Sequence, residues 1–573
     1  MKRTRRKLNV RKLVTFFVVV LVIILLIIGA SKLLSKSSGI SLKKSVDKYL
    51  ASNINVVDLY DYVSATEGEE EKKLEKVDEI VRGSKISTKG DTINVEDTEY
   101  TLIASGEENY YVLSSSLVDN EEDVVLEKSK YVRTSVTVYK NETDSKIESF
   151  IKKGNEIEVL GYDMLLEDGN VNMYQIKKDD VTGWVYSKYL VDDLVSAEAV
   201  YNENGVYDTH KDRKFSGREL YGGSAATLDY YPYEKVTFED NPLLSKNAKT
   251  MYLNAGSNVI SNIDKYLDIA TSSGVNAIVV DIKDGALAYS SEVAKEYSTT
   301  AYNTAINSNE KYKSAIDKIK NAGIYVIGRI VVFNDVHYGK DHPEDCITST
   351  ASSRLWPSAY SRGAWEYNVE LAKEAVIEMG FNEIQFDYVR FPEDAYNMSI
   401  KGNTDFKNVY NEEKAEAIQN FLFYATDQIH KVGAYLSVDV FGECSGTYVT
   451  AYGQYWSAIS NIVDVISSMP YTDHFNRNNS EYWTNPYKTV NNWAKGAATR
   501  QTEIPTPAVA RTWITAYDTP YWNPTVIYNA SKISDQAQAL VDAGLTGGFI
   551  TWNSASSLSK YEQIKSAFSK DYN

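Results

Sequence analysis

Residues 383–392, Glu-Ile-Gln-Phe-Asp-Tyr-Val-Arg-Phe-Pro, decide the fold. Ile384, Phe386, Tyr388 and Val389 are strand formers and Pro392 ends the run, so the pattern predicts a buried strand. Gln385, Asp387 and Arg390 interrupt it. Side chains alternate along a strand, which sets Gln385 and Asp387 on one face. A carboxylate in a strand buried on both sides is costly unless it is paired or lies at an open end where a substrate binds. The plain reading is a structural Asp–Arg pair at a strand end. The alternative is a catalytic carboxylate at the mouth of a barrel.

The surrounding pattern favours the barrel. From Lys249 onward, predicted strands cover 250–254, 277–283, 325–333, 383–391, 434–441, 463–469, 507–513 and 547–552. Amphipathic helical stretches lie between most of them, at 260–273, 311–322, 364–379, 411–431, 487–498 and 531–543. Several end at glycine (Gly274, Gly323, Gly380, Gly433, Gly544), the residue suited to a left-handed helix cap. Eight strands alternating with helices predict an α/β fold, a (β/α)8 TIM barrel over residues 246–573. A doubly wound open sheet would want a glycine-rich phosphate loop after a strand, and none is present.

Active sites of such barrels sit at the C-terminal strand ends. Asp281, Asp335, Asp387 and Asp439 recur at about one strand–helix unit, which predicts a single rim. Paired carboxylates among aromatic residues suit glycoside hydrolysis, with one proton donor and one nucleophile or base. The expected catalytic pair is Asp387 as nucleophile or base and Asp439 as donor, with Glu443 competing for the second role. Asp281 and Lys283 would bind sugar hydroxyls or tune charge. Arg329, Asp335, Gln385, Tyr388, Arg390, Tyr471, Arg511, Trp513 and Trp552 would complete the substrate wall. No cofactor or metal is expected, because Asp335, His337, Asp341 and His342 match no established ligand spacing. Cys346 and Cys444 lack a histidine-partner motif for thiol catalysis.

The rest of the chain carries other signals. Its 573 residues exceed one domain, and its net charge is −17. Residues 1–36 hold nine Lys/Arg and no acids, leaving 52 basic against 78 acidic residues elsewhere, a balance that argues against a nucleic-acid partner. A basic tail (1–12) precedes an apolar run, Leu13–Ala30, long enough to cross a bilayer. The expectation is a signal anchor over 13–34, with the N-terminus cytoplasmic and the rest extracellular on the cell membrane. A cleaved signal peptide is the alternative. Residues 35–81 read as a stalk, with a short helix at 41–50 and a charged cluster at 67–75. Alternating strands follow, and Tyr111–Asp119 echoes Trp184–Asp192. Residues 82–127 read as a degenerate small β module, 128–193 as a fuller one and 194–245 as a linker that partly wraps the barrel.

Two resemblances follow from these residues. Gly183–Leu190, Gly-Trp-Val-Tyr-Ser-Lys-Tyr-Leu, resembles the last strands of a bacterial SH3-like domain, which implies cell-wall peptidoglycan binding or a spacer. Residues 249–560 resemble a TIM-barrel family of glycoside hydrolases of uncharacterised function. The resemblance rests on Val279-x-Asp281-x-Lys283, on Arg329-Ile330-x-x-Phe333-x-Asp335, on Gly380 through Pro392, and on Asp439-Val440-Phe441-Gly442. It implies a polysaccharide substrate and Asp387 as the catalytic residue. Strand seven departs from the family's Arg-Pro-Trp-Leu-Gln-Asp, reading Arg511-Thr512-Trp513-Ile514-Thr515-Ala516. A non-catalytic, tethered polysaccharide- or wall-binding protein on the same barrel is the second functional expectation.

Overall fold

The structure is a computed structural model that describes residues 44–64, 72–106, 108–215, 221–401 and 403–572. The predicted anchor lies outside the described residues. Among the described residues no helix is long and apolar enough to cross a membrane.

The barrel is present. Eight parallel strands run 248–253, 277–284, 325–331, 383–387, 435–441, 465–469, 509–515 and 548–552. Each pairs with its neighbours in sequence order, and strand one pairs with strand eight. Strand seven closes the ring in two pieces: Val509–Ala510 pairs with strand six and Thr512–Thr515 with strand eight. Helices follow the strands, among them Ile263–Ser273, Asn309–Asn321, Arg362–Glu374, Lys414–Lys431 and Ala530–Asp542. The five glycines expected to cap helices all have positive φ.

Arg511 sits at the break in strand seven. It was expected on the rim, and the structure corrects this. Strand seven extends to Thr515, so Arg511 lies low in the barrel. Its Nη1 donates to both carboxylate oxygens of Glu383, the first residue of strand four, at 2.8 and 3.0 Å. Its Nη2 donates to the Leu244 carbonyl at 2.7 Å. Both side chains are fully buried, so they form the barrel floor and do not line a substrate wall.

The described parts of 194–245 (194–215 and 221–245) form a strap on the barrel. Ala225, Leu228 and Tyr230 share an apolar cluster with Ala415, Val449, Tyr455, Ala458 and Ile504. Lys235 Nζ donates to the carbonyls of Asn461, Ile462 and Val463, which close a short helix at Trp456–Ser460. Residues 129–191 form a seven-stranded sheet whose module is fixed to the helix after strand four. Asp427 accepts from Lys188 Nζ at 2.5 Å and from the Tyr189 hydroxyl at 2.8 Å, and Tyr139 stacks on Tyr424.

The stalk expectation is overturned. Residues 46–118 form seven strands, three of them inside the segment read as a stalk, at 46–50, 56–64 and 72–81. The stretch expected as a helix ends in the first of these. In the sheet the seven lie in the order third, second, sixth, fifth, fourth, first, seventh, and the seven strands of 129–191 lie in the same order. The sequence echo therefore belongs to two copies of one topology, and the first copy starts near Val46. The Lys72–Val81 strand misled because its sequence is highly charged. It is an edge strand, where charge guards against pairing with another chain. Lys76 on it pairs with Asp58 on the neighbouring strand at 2.7 Å.

The floor pair makes a testable prediction. Arg511→Met leaves the Glu383 carboxylate buried without its cation and should cost about 3–5 kcal/mol of stability. Adding Glu383→Gln should recover most of that loss. Urea unfolding of the barrel reads both effects, and an Arg511→Met protein as stable as wild type would contradict the assignment.

Candidate active site

One guanidinium organises the upper barrel. Arg329, in strand three, is buried on the inner face. Its Nη2 and Nε donate to Asp387 Oδ2 at 2.6 and 3.2 Å. Its Nη1 donates to Asp281 Oδ1 at 2.8 Å and to Asp284 Oδ2 at 3.1 Å. The same Nε lies 3.7 Å from Asp439 Oδ2. Strand two thus supplies Asp281 and Asp284, and strands three, four and five supply Arg329, Asp387 and Asp439. Trp552 and Tyr252 lie beside the guanidinium, their ring centres 5.7 and 5.9 Å from its carbon.

The two predicted catalytic carboxylates occupy opposite environments. Asp387 accepts two bonds from Arg329 and one from the Tyr388 backbone N–H at 2.6 Å. Tyr388, the donor of that last bond, has φ +56°, an uncommon left-handed conformation for an aromatic residue, of the kind stored at functional sites. Strand four ends here, at Asp387, four residues earlier than expected. Asp439 is 1% exposed. Its Oδ1 accepts from Trp513 Nε1 at 2.7 Å, while its Oδ2 has no hydrogen-bond partner. Burial, reinforced by the neighbouring Asp387 charge, pushes its carboxyl well above the usual range. Asp281 is pushed up to about 6 by burial, against the pull of Arg329, and accepts from the Tyr252 hydroxyl at 2.5 Å.

Other predicted residues fall elsewhere. Lys283 and Asp335 are locked to each other at 2.6 Å, both nearly fully buried. Lys283 also donates to Asn368, and Asp335 caps the helix at Val336–Asp341. Their expected substrate contacts are replaced by this internal pair. Burial lowers the Lys283 ammonium from its ordinary value. Arg390 pairs with Glu393 at 2.7 Å and lies over Phe441 and Tyr388, so the plain Asp387–Arg390 pair does not form. Gln385 donates to Ser467 at 3.2 Å inside the barrel. Glu443 is exposed, its oxygens accepting from Tyr448 and Tyr452, and its carboxylate shares no hydrogen bond with Arg329 or Asp387. Tyr471, Trp513 and Trp552 gather in one aromatic cluster with Tyr252. Asp341 accepts from Ser298 and Thr300, while His342 pairs with Glu344 and the Tyr297 carbonyl, so these residues are separately engaged.

Tyr252 and Asp284 were absent from the predicted set. Asp284 ends strand two, and Tyr252 sits near the end of strand one. Their positions at strand ends were the available signal.

The comparisons now have a structural context. The profile of one protein family, described as "Putative glycosyl hydrolase domain", matches residues 250–558. The chain belongs to this family. Its matched region spans strands one to eight and every member of the Arg329 cluster. A crystal structure of a hypothetical protein from Ruminiclostridium thermocellum is 33% identical, covering 33% of this chain and 97% of that one, with a TM-score of 0.27. The PgaB (BpsB) glycoside hydrolase domain from Bordetella bronchiseptica is 11% identical, covering 57% and 99%, with a TM-score of 0.41. The spore cortex-lytic enzyme SleL from Bacillus megaterium is 13% identical, covering 58% and 77%, with a TM-score of 0.36. No curated protein matches the chain.

The environment of Asp439 predicts a stability effect. A carboxyl raised in the folded state keeps a proton that the unfolded chain releases above about pH 4. Its contribution to stability therefore falls as pH rises from there toward its folded value. Asp439→Asn mimics the protonated form and still accepts from Trp513. Thermal melts at neutral pH should show no loss of stability in this variant and a flatter decline toward alkaline pH. A marked loss of stability at neutral pH would indicate that the ionised form is the native one.

Proposed function

We propose that the barrel is a glycosidase that cleaves a polysaccharide with Asp439 as proton donor and Asp387 as nucleophile. The observation that carries this reading is the opposite treatment of the two groups. Arg329 holds Asp387 with two donated bonds, while burial pushes the Asp439 carboxyl well above the usual range. A carboxyl raised by its surroundings beside a second one in a polar, hydrogen-bonded site is the pattern of the acid and nucleophile of one reaction.

Both Oδ2 atoms lie near a single nitrogen, Arg329 Nε, at 3.2 and 3.7 Å. Their separation is then at most about 7 Å, which favours the short spacing of retaining enzymes, about 5–5.5 Å, over most of the inverting range. In the first step an Asp387 oxygen bonds to the anomeric carbon as the glycosidic C–O bond breaks, and the Asp439 proton passes to the departing oxygen. Water then attacks the glycosyl ester, with the Asp439 carboxylate taking its proton and Asp387 leaving. Arg329 holds Asp387 in place throughout. Tyr252, Trp513 and Trp552 supply aromatic faces of the kind that stack on sugar rings.

The apolar Leu13–Ala30 run with its basic flank supports a signal anchor that would hold the catalytic barrel outside the cell. The Gly183–Leu190 motif supports an SH3-like module at 128–193, and the repeated topology extends that reading to residues 46–118. Peptidoglycan binding falls to the first copy in this account, because Lys188, Tyr189 and Tyr139 of the second are spent on the barrel. One observation favours the second reading, a polysaccharide-binding protein without catalysis: Asp387 and Asp439 are only 5% and 1% exposed.

Product release from wall and exopolysaccharide glycans separates the two. Asp387→Asn and Asp439→Asn should each lower cleavage at least about a hundredfold. Cleavage by wild type should also fall as pH rises through the Asp439 value, because the donor must hold its proton. No cleavage by wild type, with glycan binding unchanged in both variants, would leave the binding reading.

A further inference from the structure

Strand five carries Asp439 and, two residues on, Phe441. Alternation sets them on one face about 6.6 Å apart along the strand. The ladder is regular to this point, since Asp439 pairs with Ser467 and Phe441 with Met469. Phe441 opens a cleft of about 580 Å³ whose wall continues through Glu443, Tyr448, Tyr471, His474 and Phe475. That volume suits a small-molecule site, roughly 300–1,000 Å³.

Three features give the cleft the character of a sugar site joined to the reaction centre. Tyr471 lines it and also stacks on Trp552, beside Arg329, with ring centres 6.3 Å apart. Phe475 is 40% exposed, and Tyr482 backs it in near-parallel stacking at 5.4 Å, which holds a flat apolar face toward solvent. The Glu443 carboxylate is fixed by the hydroxyls of Tyr448 and Tyr452 at 2.5 and 2.8 Å. Each of its oxygens keeps acceptor capacity for a further donor. Tyr471 joins the cleft to the Arg329 surroundings, whereas Phe475 contacts Tyr482 and Glu443 contacts Tyr448 and Tyr452.

We propose that this cleft is the leaving-group subsite, which holds the sugar released when Asp439 gives its proton to the glycosidic oxygen. The inference rests on the glycosidase reading, since the proton donor defines the side on which the leaving group sits. The cleft begins on the Asp439 strand, one sugar's breadth above that carboxyl. The substrate class that follows is an oligo- or polysaccharide with a second sugar beyond the cut. Its apolar face packs on Phe475, and one of its hydroxyls donates to Glu443.

The test uses the full chain and Phe475→Ala, with Glu443→Gln as a second variant. Both positions are exposed, so folding is preserved, and circular dichroism checks this. Cello-, chito- and amylotetraose serve as probes, each with the glycosyl fluoride of its own sugar, whose leaving group fills no subsite. The ratio of kcat/KM for the cleaved tetrasaccharide to that for its fluoride should fall about tenfold in each variant, the scale of one stacking or hydrogen-bonding contact. An unchanged ratio would overturn the proposal. If wild type cleaves no probe, the glycosidase reading fails for these sugars, and the cleft is judged by binding. Saturation-transfer NMR then compares Asp439→Asn with Asp439→Asn/Phe475→Ala, and equal tetrasaccharide contact in the two overturns the subsite.

Discussion

A single guanidinium sets the electrostatics of the barrel mouth. Arg329 lies within hydrogen-bond or ion-pair distance of Asp281, Asp284, Asp387 and Asp439. All but Asp284 are nearly fully buried. One cation cannot offset so many buried anions, because each uncompensated charge in a low-dielectric interior is costly. The group with the poorest hydrogen bonding therefore has its carboxyl pushed well above the usual range. That group is Asp439, whose second oxygen has no donor. The contrast between the surroundings of Asp387 and Asp439 thus follows from the placement of one arginine.

The remaining polar groups inside the barrel support this arrangement without competing for it. Glu383 and Arg511 neutralise each other on the floor, two strand positions below Gln385 and four below Asp387. Lys283 and Asp335 do the same at the side, with Asp335 also capping a helix. Arg390 is held by Glu393 and aromatic faces. Every one of these cations has its own anion, so Arg329 remains the cation shared by the rim carboxylates. The strap packs on the outer helices and reaches the floor through the Leu244 carbonyl, which accepts from Arg511, while the module at 129–191 is fixed to the Lys414–Lys431 helix.

Much of this was legible in the chain. The eight strands and their helices follow from alternating periodicity and glycine caps, and the recurrence of Asp281, Asp335, Asp387 and Asp439 at about one-unit spacing points to one rim, where Asp281, Asp387 and Asp439 gather around Arg329. Spacing alone does not fix the direction of a side chain. Asp335 shares the same recurrence, yet it turns away to Lys283. Arg511 was misplaced because strand seven runs two residues further than its β-formers indicate, which lowers the arginine to the floor. The end of strand four was hidden because a tyrosine rarely takes positive φ. The first β module was obscured by a charged edge strand that reads as a solvated linker, although the sequence echo at Tyr111–Asp119 pointed to it. Exposed contacts such as Glu443 with Tyr448 and Tyr452 come from loops, where no periodicity guides the reading.

The central claim is that burial holds the Asp439 carboxyl un-ionised well above the usual carboxylate range. Infrared difference spectroscopy of the purified protein, wild type against Asp439→Asn, reads this directly through the carbonyl stretch of an un-ionised carboxyl group. The account predicts a protonated-carboxyl band at pH 7 that is lost in Asp439→Asn, persists in a conservative variant such as Glu443→Gln, and titrates away only well above the usual carboxylate range. A wild-type spectrum at pH 7 with no such band, or with one that survives Asp439→Asn, would contradict it.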